Sequence, residues 1–173
     1  MASVDIIIVN WNTGRQLREC LESVSGADME GVELGRVVIV DNASSDGSER
    51  GLDGIRLPLR IIYNRENRGF AAACNQGALG SCSDYILFLN PDTVLFRNSL
   101  AVPVVFMESE ANERIGVVGI QLIGDDGQPD RACARFPTPA RLFSRIVGLY
   151  RLSPRLFPSY RMADWDHAED REV

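Results

Sequence analysis

Apolar runs alternate with stretches of helical spacing along this chain. Residues 4–9 (VDIIIV), 37–40 (VVIV), 59–63 (LRIIY) and 85–89 (YILFL) are short, rich in β-branched and aromatic side chains, and read as strands. Between the first two, Leu17, Cys20, Leu21 and Val24 recur at the spacing of one helix face. Residues 70–79 (FAAACNQGAL) have a helical composition despite Gly77, and part of 99–110 predicts a helix with Pro103 in its first turn. Residues 115–123 predict a fifth strand, followed by a hairpin turn at Gly124-Asp125-Asp126-Gly127. Residues 139–152 could form an amphipathic helix with Leu142, Ile146 and Leu149 on one face. Strands alternating with helices build βαβ units, so the expected class is α/β with a mostly parallel central sheet. The strands are apolar along their length, as in a sheet covered on both faces.

Composition narrows the function. The 173 residues, 45% apolar and 24% charged, describe one globular domain or a large part of one. All 18 basic residues are arginines. Without lysine there is no P-loop lysine, no kinase-type ATP lysine and no Schiff base. The same absence removes a receiver-type signalling domain, which also sets aspartates at strand ends but needs a lysine. His167 is the sole histidine, so a histidine-rich metal site is excluded and a Ser-His-Asp triad would have to use it. The cysteines, Cys20, Cys74, Cys82 and Cys133, contain no C-x-x-C pair. Cys20 and Cys74 lie in apolar helical patterns, as reduced core residues do. Residues 1–5 carry no basic region, residues 6–9 are too short for a signal-peptide core, and no run approaches the roughly 20 residues of a membrane span. The expected location is the cytoplasm.

Charge divides the chain. Residues 1–130 hold 10 arginines against 19 acids, 131–161 hold 7 arginines and no acid, and 162–173 hold 5 acids and 1 arginine. The expectation is an α/β binding domain over 1–130 and a basic, then acidic, connecting segment over 131–173.

In an open parallel sheet, ligands bind outside the carboxyl ends of the strands. Three predicted strands deliver polar residues there: Asn10-Trp11-Asn12, Asp41-Asn42 and Asn90-Pro91-Asp92. Loops are polar in any case, but three such ends on one edge, one of them with an indole, favour a site. Trp11 offers a flat face for a nucleobase, or else closes the edge of the core. Asp41 can accept the N3–H of uracil or thymine, or cap the turn that follows. Ser44, Ser45 and Asp46 suit capping first, and ribose or phosphate contact second. No G-x-G-x-x-G follows the first strand, so the common dinucleotide fingerprint is missing. Asp92 is the best candidate ligand for a hard divalent cation, which needs only one or two carboxylates when phosphate and water complete its shell. With Asn90 beside it the donor set is adequate, although the tripeptide also makes a strand-terminating turn.

The segments IIIVNWN, VVIVDNASSDGS, YNRENRGFAAACNQG and DYILFLNPDTVL, in this order and spacing, resemble a family 2 glycosyltransferase, closest to its rhamnosyltransferase-like branch. The likeness runs over essentially the whole chain and is strongest over residues 4–100. It implies a GT-A, Rossmann-like fold, a three-layer α/β/α sandwich incomplete at its C-terminus. It implies inverting transfer from a nucleoside diphosphate sugar, with dTDP-L-rhamnose as the best donor and a UDP-sugar as the other. Trp11 and Asp41 would hold the base, with Asn10, Asn12, Asn42 and Ser44 around the donor. Arg68 and Asn75 fall in the family's Asn-x-Gly-Phe-x-x-x-x-Asn motif and would line or support the donor pocket. Asn90-Pro91-Asp92 stands in place of the family's Asp-x-Asp, with Asp92 holding Mg²⁺ or Mn²⁺ on the diphosphate. The family's catalytic base lies further along in an acidic motif this chain lacks, so the base is expected beyond Val173 and the chain reads as the N-terminal, donor-binding part. The other reading is a nucleotide-sugar-binding domain without transferase activity.

The acceptor implied by the resemblance is a glycan or a polyprenyl-linked sugar in cell-surface polysaccharide assembly. The arginine-rich segment 131–161, interleaved with aromatics, suits a peripheral contact with the inner face of a membrane or a lipid diphosphate. It equally suits packing on a further part of the domain, the slightly favoured reading, since an apolar stripe is usually core. Nucleic acid is not an expected partner, because the remaining surface is acidic.

Overall fold

The computed structural model describes residues 1–130, 134, 138–149 and 162. Two compact units divide it, Met1–Val118 and Gly119–Val173.

In the first unit four parallel strands form one sheet in the order β3-β2-β1-β4. They are β1 (Ala2–Asn10), β2 (Val32–Asp41), β3 (Leu59–Tyr63) and β4 (Tyr85–Leu89). The last two match their apolar runs, while β1 and β2 extend beyond theirs, paired from Ala2 with Val32 to Asn10 with Asp41. Alternate side chains of the sheet feed two apolar layers. On one face Ile6, Ile8, Val37 and Ile39 pack with Leu17, Cys20, Leu21 and Val24 of α1 (Gln16–Ser25) and with Val104 of α3 (Ala101–Met107). On the other, Ile7, Val9, Val38 and Val40 meet Ala73 and Cys74 of α2 (Phe70–Ala78). This is a three-layer α/β/α arrangement, and it explains why β1 and β2 are apolar at successive positions. Gly77 lets α2 approach closely, since a Cβ there would stand 2.5 Å from Ile7 Cγ2 and 3.0 Å from Val40 Cγ2.

Two expectations need correction. The sheet is covered on both faces only at its centre. Helix α2 lies over β1 and β2, and Ile86 and Phe88 of β4, which share its face, are exposed. The fifth strand expected over residues 115–123 is not formed. That run is open to solvent around Val117, and Gly116 and Gly119 contribute no packing to hold it extended. A strand without a hydrogen-bonded neighbour is not stable in water.

The amino end of the sheet is fastened by an ion pair between a buried carboxylate and a half-buried guanidinium. Opposite Asp5, β2 carries Gly35 and Arg36 where the register slips between Val4 and Ile6, a bulge of two residues against one. The bulge turns both the amide and the guanidinium of Arg36 onto the Asp5 carboxylate, at 3.1 and 2.6 Å. Ser81 and Ser83 add their hydroxyls at 2.8 and 2.7 Å. Burial would raise the Asp5 carboxyl, but these bonds outweigh it and hold it at about 2.

The second unit holds a tight hairpin and one helix among its described residues. Ile123 bridges Pro129 in antiparallel sense around the expected turn, and Gly127, with φ 73°, donates its amide to the Gly124 carbonyl. Helix α4 (Pro139–Ile146) is shorter than the expected 139–152, and Gly148 at φ 75° follows its end. Its Leu142 and Ile146 are exposed. Most of the arginine-rich segment 131–161, and with it Cys133 and His167, lies outside the described residues.

Candidate functional site

From β1 to β3 the chain builds the sheet in one direction, and β4 then returns to the other side of β1. The strand order thus reverses between β1 and β4, the switch point at whose carboxyl ends open parallel sheets bind ligands. The predicted polar residues stand at this edge.

The β1 and β2 loops are bonded into one body. Asn10 is fully buried, and the two N–H groups of its Nδ2 are shared among Asp41 Oδ1 at 2.8 Å, Ser48 Oγ at 2.8 Å and Ser44 Oγ at 3.1 Å. Its Oδ1 accepts the Thr13 hydroxyl. Asp41 Oδ2 accepts the Ser44 amide at 3.0 Å, which closes a local turn rather than capping a helix. To make this bond the chain reverses through Ala43 at φ 65°, a left-handed conformation that costs an alanine roughly 1 kcal/mol. Asn12 Oδ1 accepts the Ser45 amide at 2.8 Å, and Asp46 Oδ2 accepts the Gly14 amide at 2.8 Å. Hydrogen bonds from the amide and hydroxyl of Ser48, and then from the amide of Gly14, hold the exposed Asp46 carboxyl below the usual carboxylate range. Each Asp41 oxygen accepts one internal bond and keeps a second acceptor position. Trp11, between Asn10 and Asn12, is 55% exposed.

A second cluster surrounds the buried Asn42. Its Nδ2 donates to Asn67 Oδ1 at 3.1 Å and to the Gly69 carbonyl at 3.3 Å. Its Oδ1 accepts Asn64 Nδ2 at 3.0 Å and the Arg68 amide at 3.2 Å. Asn64 and Gln76 exchange a reciprocal amide pair at 3.0 and 2.9 Å. Gly69, with φ 79°, is the N-cap of α2. The Arg68 side chain is exposed and makes no ion pair among the described residues. Asn75, also exposed, is not drawn into either cluster.

At the end of β4 the Asn90 carbonyl accepts the Cys20 thiol at 3.6 Å and the Thr93 amide at 3.2 Å, which closes the turn that carries Asp92. The Asp92 side chain is exposed, with no hydrogen bond or ion pair among the described residues. Burial, and then the negative charge of Asp92, push the Cys20 thiol up to about 12. No three His, Cys, Asp or Glu residues among those described gather as a metal cluster. A cation here would therefore have one carboxylate and the exposed Asn90 side chain, a set that fits Mg²⁺ or Mn²⁺ only with phosphate and water as the other ligands.

The structure thus brings together Asn10, Asn12, Asp41 and Ser44, with Trp11 between them, and joins Asn42 to the Arg68 backbone. Sequence reasoning passed over Thr13, Ser48, Asn64, Asn67 and Gln76 as members of these clusters. Asn64 had a usable signal, since it directly follows β3 as Asn10 ends β1. No helix among the described residues is long and apolar enough to cross a membrane.

Known proteins are similar to this chain in sequence or in architecture. An uncharacterized glycosyltransferase of Rickettsia bellii is 33% identical over 128 residues, 73% of this chain and 18% of that protein. The solved mannosyltransferase PcManGT of Pyrobaculum calidifontis, in complex with GDP-Man and Mn²⁺, superposes with a TM-score of 0.55 at 24% identity, over 62% of this chain and 32% of that one. Staphylococcus aureus TarS 1–349 in complex with UDP-GlcNAc gives 0.54 at 21% identity, over 61% and 31%. The chain spans well under half the length of each. The shared fold is GT-A. The model of one family, Glycosyl transferase family 2, matches residues 5–162, nearly the whole chain including every site segment described above, and the chain belongs to that family.

Proposed function

We propose that this chain binds a nucleoside diphosphate sugar and serves in transfer of the sugar to a hydroxyl acceptor. The observation that carries the reading is the bonded Asn10–Asp41–Ser44 group, next in sequence to an exposed Trp11, at the switch point of the sheet. In this reading the indole stacks on the base, and the open acceptor position of Asp41 takes the N3–H of uracil or thymine. Asn12 and Ser44 border the ribose. The Arg68 guanidinium, planar and always charged, faces the diphosphate, with Asn75 supporting the same pocket.

Asp92, with Asn90, would hold Mg²⁺ or Mn²⁺. Such an ion neutralises charge that develops on the diphosphate leaving group. The mannosyltransferase structure, with GDP-Man and Mn²⁺, is consistent with a divalent metal beside a nucleotide sugar in this fold. We take dTDP-L-rhamnose as the donor, on the motif resemblance alone, with inversion by a single displacement. A glycan or polyprenyl-linked sugar is the acceptor, and residues 131–161 pack on a further part of the domain, with a peripheral membrane contact as the second reading. Residues 1–130 form the donor-binding part and 131–173 the connecting segment.

Calorimetric titration with UDP and with dTDP, each with and without Mn²⁺, tests the reading. Saturable binding that strengthens with Mn²⁺, and loses that gain in Asp92→Ala, is the expected result. An equal metal effect in wild type and Asp92→Ala would remove Asp92 from the site, and no binding of either nucleotide would overturn the donor assignment.

A further inference from the structure

We infer that Asn42 is a positioning residue: it fixes the turn at residues 67–69, and so aims Arg68 and the start of α2 at the donor, without touching the donor itself. The inference rests on the donor reading above and deepens it.

A neutral amide side chain has two N–H donors and two acceptor positions on its oxygen. All four positions of Asn42 are occupied inside the protein, by Asn67 Oδ1, the Gly69 carbonyl, Asn64 Nδ2 and the Arg68 amide. The side chain is also buried, 2% exposed. A ligand could reach it only by breaking one of these bonds and leaving a buried polar group unpaired.

The bonds have a direction. Three successive residues, Asn67, Arg68 and Gly69, are each tied to this one side chain. Besides these bonds, the Gly69 carbonyl accepts the Ala73 amide at 3.2 Å as α2 begins, and the Gly69 amide, at φ 79°, bonds to Asn67 Oδ1 at 2.9 Å among the described residues. Asn64 continues the chain of amides to Gln76 on α2. The backbone of Arg68 is therefore fixed while its guanidinium has no ion-pair partner among the described residues. A charged group held in advance at the place where an anion binds gives up less freedom on binding.

The test is UDP titration of the full chain in wild type, Asn42→Ala, Arg68→Ala and the double variant, with amide hydrogen exchange followed at residues 68–70. Asn67→Ala is included because Asn67 is exposed, so that its loss leaves the core intact. The expected result is a loss of affinity of about tenfold in Asn42→Ala. The double variant should bind no worse than the weaker single variant, because Asn42 acts through Arg68. Exchange at the Arg68 and Gly69 amides should speed up in Asn42→Ala and in Asn67→Ala while β1 amides are unchanged. Unaltered affinity in Asn42→Ala, or losses that add in the double variant, would overturn the inference while leaving the donor reading standing. If wild type binds no UDP, the donor reading fails and takes the link to the donor with it; exchange then decides whether Asn42 holds the turn, and unchanged protection at Arg68 would overturn that as well.

Discussion

Asn10 Nδ2 donates to Asp41 Oδ1 over 2.8 Å, and the same two residues are partners in the register of β1 and β2. The two central strands thus end in a buried amide–carboxylate bond at the edge where the site lies. Replacing the amide leaves Asp41, Ser48 and Thr13 short of a partner. Asn10→Ala should lose about 1–3 kcal/mol in urea unfolding. Asn10→Asp should be more revealing: two carboxylates would face each other, and one would have to keep a proton. Its stability deficit against wild type should grow as pH rises from about 4 to about 7. A deficit independent of pH would show that the amide serves only to fill space.

The Asp5–Arg36 pair gives a pH dependence of the opposite sign. The folded Asp5 carboxyl lies at about 2 against an ordinary 3.8, so its ionised form is favoured by folding. That stability is present above the ordinary value and is lost as pH falls towards 2. It amounts to about 2 kcal/mol. Urea midpoints taken between pH 5 and pH 2 should fall less steeply in Asp5→Asn than in wild type. Parallel curves for the two proteins would show that the pair adds nothing to acid stability.

The layers of this fold were legible because β1 and β2 are apolar at consecutive positions and α1 shows Leu17, Cys20, Leu21 and Val24 on one face. Every residue of that set is buried. The run 115–123 misled because β-branched composition describes what a strand can tolerate, whereas a strand forms only against a neighbour. In the site, Asn10, Asp41 and Asp92 announced themselves as polar residues at the ends of apolar runs. Which of them face inward was not legible. Asn10 and Asn42 look alike in sequence to Asn12 and Asn75, yet the first two are buried hubs and the latter two are exposed. That difference is set by the reversal through Ala43 and the turn at Gly69, neither of which has a sequence signature strong enough to fix it.

Gly77 offers a test of packing against helix propensity. In an exposed helix Gly→Ala gains roughly 1 kcal/mol. Here the added methyl would stand 2.5 Å from Ile7 Cγ2 and 3.0 Å from Val40 Cγ2, both within the core of the sheet. Overpacking of this kind costs about 1–3 kcal/mol. Gly77→Ala should therefore be destabilising on balance in thermal unfolding, and a raised midpoint would mean that α2 can lift from the sheet without penalty.

The cysteines should differ sharply in reactivity. Thiolate, not thiol, attacks alkylating reagents. Cys20 is buried with its thiol pushed up to about 12, and Cys74 is raised by burial as well, whereas Cys82 is exposed. Native labelling at about pH 8 with peptide mapping should modify Cys82 and spare Cys20 and Cys74 until denaturant is added. Rapid native labelling of Cys20 would show that the contact between α1 and the Asn90 turn opens readily.

Trp11 separates a ligand platform from a lid on the core. At 55% exposed, its indole buries too little to matter greatly for folding. Stacking on a base is worth about 1–3 kcal/mol. Trp11→Ala should weaken UDP or dTDP binding by about tenfold or more, while its urea midpoint stays close to that of wild type. Trp11→Phe, which keeps a smaller aromatic face, should fall between the two in affinity. The opposite pattern, unchanged affinity with a clear loss of stability, would make the indole a cover for Asn10 and its buried bonds. The two outcomes share no readout, because a stacking residue moves the dissociation constant and a covering residue moves the unfolding curve.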